Sequence, residues 1–455
     1  MGGLRFKRWF GTVCLVAAVA LWSAGTVYAA GFAIMEQGVK ELGTAYAGGA
    51  ASALDATTVY YNPAGMSLLN GTQVSAGFHL IKTSFKFSNE GSTTALTPLT
   101  GQGLTGNDGG DGGMWNAVPL GYFTTTLDNG ISLGFGVGVP FGLTTKYSPG
   151  WVGRYYTQRS KIFTINLNPS VAYAVSDKLS VGAGFDAMYM KGEFSQAIDF
   201  GTLLAAAGDV PQHDDGYASL TADDWSYGYN LGVLYQFDDA TRVGLAYRSR
   251  VKQNLSGSVD FTVPSTAAAI LSALPAGSVP QFKSGAAGAN VTLPDSATLS
   301  LYHELNSQWA VMADVGWMNW STLKELRIYF ADPSQPDSVT TLDWRDTWRF
   351  SLGASYHANP RWDFRFGTMY DQTPIRSAET RTPRLPDQDR VWTTLGTTYH
   401  LTQACAIDLA YAHLFMVGNS RIDKNATGEN IDNGGLKGSY DNMGDIVSAQ
   451  INYVW

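Results

Sequence analysis

Apolar and polar residues alternate with a period of two in short segments along most of the chain. Between Val447 and Trp455, every odd-numbered residue is apolar or aromatic and most even-numbered residues are polar. This period is that of a β-strand, whose successive side chains point to opposite faces of the sheet. Turn residues separate about fourteen such segments, which begin near Gln73, Val118, Ile131, Phe163, Leu179, Tyr227, Arg242, Ala297, Gln308, Thr347, Arg361, Val391, Ala406 and Val447. The pattern predicts an all-β protein.

Aromatic residues at the ends of the apolar faces favour a membrane barrel. The opposite faces mix glycine with charge, and charged residues make up 15% of the chain, against roughly 25% in soluble domains. Lipid offers the backbone no hydrogen bonds, so an all-β protein must close on itself in a membrane. We therefore predict a monomeric, antiparallel transmembrane β-barrel of about fourteen strands in the bacterial outer membrane. A periplasmic or secreted β-sandwich is the alternative.

The first 29 residues have the organisation of a secretory signal peptide. Arg5, Lys7 and Arg8 precede an apolar run over residues 9–21, and cleavage is expected after Ala29. The run is shorter than the roughly 20 residues that span a bilayer, which weighs against an uncleaved anchor. Cleavage removes three basic and no acidic residues, so the formal net charge changes from −8 to −11. A chain this acidic gives no support to nucleic-acid binding.

Residues 30–70 lack the period of two and form a separate predicted unit. They are rich in alanine and glycine, and Asn62-Pro63-Ala64-Gly65 indicates a turn. This segment is too apolar for a flexible tail. We predict that residues 30–70 form a hatch, or plug, inside the lumen of a barrel made by residues 71–455. Phe32 and the Asn62-Pro63-Ala64 turn are expected to lie in the lumen, with Phe32 near the bound solute.

A set of short motifs extends in order over the whole mature chain. They are Ala30-Gly31-Phe32, residues 42–48 (LGTAYAG), Asn62-Pro63-Ala64, residues 247–252 (YRSRVK), Leu293-Pro294, residues 386–390 (PDQDR) and the terminal aromatic residue. Together they resemble the FadL/TodX family, outer-membrane transporters of long-chain fatty acids and aromatic hydrocarbons. The resemblance implies passive uptake of a hydrophobic small molecule through a fourteen-stranded barrel with an N-terminal hatch. The substrate would be captured on extracellular loops, bind in a lumenal pocket, and pass sideways into outer-membrane lipid through a kinked third strand.

The third predicted strand has a composition that weakens a β-ladder. Gly134, Gly136 and Gly138 alternate along it and Pro140 follows. Glycine costs conformational entropy in a strand and proline cannot donate to the ladder, so both suit a bulge. These residues are our candidates for a lateral opening. The alternative is that small residues make room for a closely packed hatch.

Two insertions, at about residues 195–224 and 264–290, carry short apolar stretches that favour helices. An exposed apolar patch usually marks a binding surface. We predict that these stretches form extracellular capture loops, although the two helices could instead pack on each other. The residues concerned are Leu203, Leu204, Ile270, Leu271 and Leu274.

Arg248 and Arg349 fall on faces that we assign to the lumen. We favour a salt-bridge network that holds the hatch, while the alternative is contact with a substrate carboxylate, for which arginine geometry is suited. The fatty-acid members of the family have basic residues near the positions of Gln196 and Thr340 here. The absence of these basic residues favours a neutral hydrocarbon as the substrate.

The residues needed for hydrolysis or metal chemistry are sparse. The chain has six histidines and neither a His-x-x-x-His nor a Gly-x-Ser-x-Gly motif. Cys405 is alone after signal cleavage, which excludes an intramolecular disulfide. We predict no catalytic residue, metal site or cofactor, and hence no enzyme. A lipase-like barrel enzyme and a general diffusion porin are the alternative functions.

Overall fold

A computed structural model describes residues 31–275 and 280–455, so the predicted signal peptide lies outside the described residues. Within residues 31–275 and 280–455, one antiparallel sheet contains twenty strand segments. They are β1 (Thr72–Asn89), β2 (Trp115–Thr126), β3 (Ile131–Gly138), β4 (Gly142–Lys146), β5 (Arg159–Ala174), β6 (Leu179–Asp199), β7 (Asp215–Gln236), β8 (Thr241–Arg248), β9 (Val251–Thr262), β10 (Gly285–Leu293), β11 (Ser296–Glu304), β12 (Trp309–Met318), β13 (Glu325–Phe330), β14 (Ser338–Thr341), β15 (Thr347–Asn359), β16 (Trp362–Asp371), β17 (Arg390–His400), β18 (Cys405–Met416), β19 (Ser420–Asp423) and β20 (Lys437–Val454).

The twenty segments form fourteen wall strands, because six wall strands are interrupted. The pairs that continue one another are β3 and β4, β8 and β9, β10 and β11, β12 and β13, β14 and β15, and β18 and β19. The sheet closes where β1 pairs with β20, from Gln73 opposite Val454 to Asn89 opposite Gly438. Thr72 and Trp455 exchange backbone hydrogen bonds of 3.1 and 3.0 Å at the end of this seam. The predicted closed barrel of fourteen strands is confirmed.

The outer surface of the barrel is apolar. On β7, for example, Tyr227, Leu231 and Tyr235 are half-exposed, while Asn230 and Leu234, on the opposite face, are buried. In a soluble protein the apolar face of a strand is buried, whereas here the apolar face is exposed. A strand that faces lipid on one side requires this arrangement. Among the described residues, no helix is both long and apolar enough to cross a membrane.

The helices of the described residues are short. They are α1 (Val39–Gly43), α2 (Thr58–Tyr61), α3 (Thr97–Thr100), α4 (Phe200–Leu203) and α5 (Ser265–Ala273), with 3₁₀ turns at Pro63–Leu68, Ala205–Ala207, Trp320–Thr322 and Gly428–Asn430. Helices α1 and α2 belong to the segment before β1. We call residues 31–69 the N-terminal segment.

The N-terminal segment is almost entirely buried. It contacts strands on opposite sides of the barrel: α1 lies against β16, β17 and β18, and the Pro63–Leu68 turn lies against β5, β6 and β7. Several of its hydrogen bonds join residues hundreds of positions apart, such as Gly48 N–H to Asp314 Oδ1 at 2.6 Å. The segment is therefore part of the packed core.

Two predicted loops are shorter than expected. Strands β6 and β7 remain paired as far as Asp199 opposite Asp215, so the first loop covers residues 200–214 instead of 195–224. The second covers residues 263–284 instead of 264–290, because β10 begins at Gly285. The strands extend past the clear alternation because the ladder needs only backbone groups.

Candidate binding cavity and wall opening

The third wall strand is interrupted by a β-bulge. Gly138 at the end of β3 lies opposite Asn166, and Gly142 at the start of β4 lies opposite Phe163. Four residue steps on one strand therefore face three on β5, which is one extra residue. Within the bulge, Phe141 N–H donates to the side-chain oxygen of Thr164 at 3.0 Å instead of to a ladder carbonyl.

The bulge leaves part of the neighbouring strand without a partner. The β2–β3 ladder covers only Gly121 to Thr126 of β2. In the described part of the chain, Trp115 to Leu120 pair with β1 on one side and with neither β3 nor β4 on the other. Pro140, inside the bulge, has no N–H to extend the ladder. In the described residues, no backbone ladder therefore joins β2 to β4 at this place in the wall.

The start of the N-terminal segment covers this interruption. Ile34 N–H donates to Pro140 carbonyl oxygen, and Gly142 N–H donates to Phe32 carbonyl oxygen, both at 2.8 Å. Ala33 and Phe141 form an isolated antiparallel bridge between these bonds. Residues 32 and 34 thereby satisfy two of the backbone groups that the bulge frees, the N–H of Gly142 and the carbonyl oxygen of Pro140.

Phe32 lies in an aromatic cluster at the same place. Its ring centroid is 4.9 Å from Trp320, 5.9 Å from Trp344 and 6.0 Å from Phe141. Tilted and edge-on contacts of this kind contribute about 0.5–1.5 kcal/mol each beyond burial. Trp320 and Trp344 come from the interruptions between β12 and β13 and between β14 and β15. Three separate parts of the chain therefore hold Phe32.

A cavity that is partly open to solvent lies next to the bulge. Its lining comes from the N-terminal segment, the bulge and the wall strands β7, β8, β11, β12, β15 and β16. Most of the lining is apolar or aromatic, which is typical of a site for a hydrophobic small molecule. The lining residues used below are Met35, Tyr60, Pro63, Pro140, Arg248 and Arg349.

Arg248 is fully engaged at the cavity wall. Its guanidinium forms an ion pair with Asp186 and donates to Tyr60 carbonyl oxygen at 3.0 Å. It also lies 4.4 Å from the centre of the Tyr60 ring, a cation–π distance. Arg248 thus joins β8 to β6 and to α2.

Arg349 is bound less tightly. Its Nη2 donates to Thr298 Oγ1 at 2.8 Å, whereas Nη1 contacts the sulfur of Met35 at 2.7 Å. A thioether is a weak acceptor, and the buried Nε has no hydrogen-bond partner among the described residues. Two of its three nitrogens therefore lack a strong acceptor.

A buried ionic cluster fixes the beginning of the N-terminal segment. Arg390 lies 2.8 Å from Asp371 Oδ2 and 3.3 Å from Asp387 Oδ1. Asp387 Oδ2 in turn accepts the N–H of Gly31 at 3.1 Å. Nearby, burial raises the pKa of Glu36 to about 8, opposed by the positive charge of Arg390. A neutral Glu36 costs less to bury than an ionised one.

The Asn62-Pro63-Ala64 turn is clamped against β6 and β7. Asn62 Nδ2 donates to Ala50 carbonyl oxygen at 2.6 Å and to Val233 carbonyl oxygen at 3.1 Å. A Cβ on Gly232 would come within 1.9 Å of Asn62 Oδ1, so only glycine permits this approach. Pro63 lines the cavity, and Ala64 is buried.

The three glycines of β3 lie before the opening. Gly134 and Gly136 are paired on both sides, with β2 and with β5. A Cβ on Gly134 would clash with Met66, and one on Gly138 would lie 2.2 Å from Gln37 Oε1. Because these glycines are small, they make room for the N-terminal segment. This arrangement corresponds to the alternative in which small residues serve close packing of the hatch. The interruption itself covers residues 139–141.

The two apolar loop helices pack on each other. Leu204 of the first loop and Leu271 of α5 are buried in one small cluster, with Leu203, Ile270 and Leu274 partly buried around it. This packing places all five predicted capture residues together. Three of them retain partial exposure at the loop surface.

Sequence reasoning missed several residues of the site. Trp320, Trp344 and Met35 carry no local signal, because each acts through partners remote in the chain. Gln196 was noted only for lacking a positive charge, yet its Oε1 accepts a hydrogen bond from Arg384 at 2.6 Å. Burial lowers the pKa of Arg384 to about 10. A basic group is thus supplied beside Gln196, on β6, from the connection between β16 and β17.

A closed fourteen-stranded barrel with an apolar exterior and an internal cavity defines an outer-membrane transport barrel. The chain belongs to the family described as outer membrane protein transport protein (OMPP1/FadL/TodX), which matches residues 20–455. It is 32% identical to outer membrane protein P1 of Haemophilus influenzae, over 88% of this chain and 89% of that one. It is 31% identical to a long-chain fatty acid transport protein of Escherichia coli O6:H1, over 90% and 92%.

Solved structures share the fold. A FadL homologue from Pseudomonas aeruginosa has a TM-score of 0.85 at 24% identity, covering 93% of this chain and all of that chain. The toluene transporter TbuX of Ralstonia pickettii has a TM-score of 0.64 at 21% identity, covering 92% and 100%. The protein is therefore an outer-membrane β-barrel of this family of outer-membrane transport proteins.

Proposed function

We propose that the protein takes up long-chain fatty acids or similar hydrophobic acids passively and releases them sideways into the membrane. The observation that carries this proposal is the position of the cavity. It lies between the N-terminal segment and the bulge of the third wall strand, with Pro140 and Phe141 in its lining. A solute in the cavity is adjacent to the place where β2 and β4 are not joined.

The N-terminal segment is the hatch in this proposal, and it lies in the lumen. Its contacts with opposite walls support this placement, because a short segment can reach both only from within. Residues 32–34 also cover the bulge from inside. Movement of these three residues would join the cavity to the opening.

The apolar loop helices provide the capture surface. Leu203, Ile270 and Leu274 keep part of their surface exposed around a buried centre of Leu204 and Leu271. An apolar patch held in a fixed shape is suited to collecting a solute from water.

Lateral release follows from the cost of hydrating an apolar chain. Apolar surface costs roughly 25 cal/mol per Å² to expose to water, so about 300 Å² would cost about 7.5 kcal/mol. Exit through the wall into lipid avoids this cost. Passage straight to the periplasm would incur it.

Arg349 is the proposed contact for the carboxylate. It is the lining arginine with weakly satisfied nitrogens, whereas Arg248 is held by Asp186 and Tyr60. The relatives above 30% identity include one named for long-chain fatty acid transport, which supports an acid as substrate. The neutral residue at Thr340 remains a departure from the fatty-acid pattern.

Removing the bulge should close the exit. Deleting Val139 and replacing Pro140→Thr leaves three residue steps between Gly138 and Gly142, opposite three steps on β5. Strands β3 and β4 should then form one regular strand. We expect uptake of radiolabelled oleate by cells to fall at least tenfold, while oleate binding to the purified protein stays within threefold. The matched control deletes Ala358 at the register shift between His357 and Asn359, far along the chain from the cavity. Undiminished uptake by the closed variant would disprove lateral release.

Replacing Arg349→Met should separate acids from neutral solutes. The change removes the cation and keeps an unbranched side chain, so we expect oleate to bind at least tenfold more weakly and toluene to bind within twofold. Equilibrium binding to the purified protein measures both. Arg345→Met is the control, since Arg345 is half-exposed; its Nε donates to Thr373 carbonyl oxygen at 3.2 Å, and its guanidinium lies 3.8 Å from Asp389. Equal loss for both solutes would contradict a carboxylate contact.

A further inference from the structure

Four basic residues lie together on the lipid-facing side of β4, β5 and β6. Lys146 is opposite Arg159, and Lys161 is opposite Glu193. Residues directly opposite in an antiparallel ladder point to the same face, and so do residues two apart on one strand. Lys146, Arg159, Lys161 and Lys191 therefore share one face, and we call them the basic patch.

The depth of the basic patch follows from the apolar residues below it. Phe163, Ile165, Leu167, Val171 and Tyr173 face outward along β5, and the chain makes a short turn between Ala174 and Leu179. Short turns lie on the periplasmic side of such barrels. Ten residue steps from Tyr173 to Phe163, at about 3.3 Å per step and a tilt near 40°, rise about 25 Å. The apolar band of an outer-membrane barrel has about this height.

The basic patch begins directly above that band. Tyr189 and Trp225 lie opposite each other on β6 and β7, with ring centroids 5.4 Å apart. Aromatic pairs of this kind mark the membrane interface. The next outward residue of β6 is Lys191. The four cations are thus at the level of the outer-leaflet headgroups.

The patch has a surplus of positive charge. Glu193 lies 3.2 Å from Arg159 and 3.1 Å from Lys191, and Asp223 lies opposite Lys191. Two carboxylates among four cations leave a net charge of about +2, in a chain with a formal net charge of −8. Arg159 and Lys191 remain 46% and 38% exposed, so their donors are open to a ligand.

We propose that the basic patch binds the phosphates of an outer-leaflet glycolipid, the lipid A part of lipopolysaccharide. Arginine forms paired hydrogen bonds with phosphate oxygens, and lysine adds point charges beside them. A phosphate held there would place the acyl chains over Phe163, Ile165 and Leu167. Phe163 is the residue opposite Gly142, so the bound lipid covers the wall beside the bulge.

The test compares binding of lipid A to matched variants. Delipidated protein in detergent micelles is titrated with bisphosphorylated lipid A, and bound lipid is counted by native mass spectrometry. The patch variant carries Arg159→Gln, Lys161→Gln and Lys191→Gln. The control carries Lys178→Gln, Arg361→Gln and Lys324→Gln, three exposed residues outside the patch, so both lose three charges. We expect the patch variant to bind at least tenfold more weakly and the control to bind like the unsubstituted protein.

Two further arms identify the recognised group. Dephosphorylated lipid A should bind the unsubstituted protein at least tenfold more weakly, and 10 mM inorganic phosphate should displace little of the bound lipid A. Equal binding by patch variant and control, equal binding of dephosphorylated lipid A, or full displacement by free phosphate would each overturn the proposal. Heat-modifiable migration confirms assembly. Should the triple variant fail to assemble, Lys191→Gln alone is expected to weaken binding at least threefold, and unchanged binding would overturn the proposal.

Discussion

Deleting residues 31–69 should convert the protein into an open and poorly selective pore. Nearly all of these residues are buried, and they contact strands on opposite sides of the barrel. A barrel of eight strands is filled by its own side chains, whereas barrels of 16–18 strands contain an aqueous channel, so fourteen strands leave space that must be filled. We expect single-channel conductance in planar bilayers to rise at least tenfold.

The ladder between β1 and β20 does not involve the deleted residues, so the barrel should still close. Heat-modifiable migration checks this. The control deletes α3 (Thr97–Thr100), an exposed helix in which Leu99 is 84% exposed, and the conductance of this variant should not change. Unchanged conductance after deletion of residues 31–69 would mean that the N-terminal segment does not fill the lumen.

Replacing Arg390→Met should destabilise the protein by about 3–5 kcal/mol, the usual cost of breaking a buried ion pair. Arg390 is 2% exposed and lies between Asp371 and Asp387. Its loss leaves two buried carboxylates without a cation, and Asp387 also holds the N–H of Gly31. The free energy of unfolding in urea, measured in lipid vesicles, is the readout.

Two comparisons make this result specific. Arg376→Met removes a 47% exposed cation, 3.7 Å from Asp343, and should cost less than about 1 kcal/mol. Adding Asp371→Asn and Asp387→Asn to Arg390→Met should recover part of the lost stability, because the unpaired charges are gone. A loss for Arg390→Met no larger than that for Arg376→Met would rule out an energetically important cluster.

The number of wall strands could be predicted because alternation is a local property. A strand with lipid on one side and a lumen on the other must alternate, whatever its neighbours are. The strand ends were predicted less well. Strand β7 begins at Asp215 rather than near Tyr227, and β20 begins at Lys437 rather than near Val447. Beyond the membrane both faces can be polar, so the sequence loses its period while the ladder continues.

The third strand shows the limit of composition as evidence. Alternating glycines predicted an unusual strand, but Gly134 and Gly136 lie in regular ladder and give space to Met66, Val59 and Tyr122. The bulge follows at residues 139–141. Its position depends on the register of β5 against β3 and β4, which composition does not contain.

The sequence alone determined the barrel, its strand number and its family, because these follow from alternation and from short motifs. The tertiary structure decided which residues meet at the site. Phe32 meets Trp320, and Met35 meets Arg349 across 314 positions of the chain. Such contacts depend on strand register, on where each wall strand is interrupted and on the path of the N-terminal segment. Each of these is set by packing between distant parts of the chain, since no local pattern of residues specifies a partner hundreds of positions away.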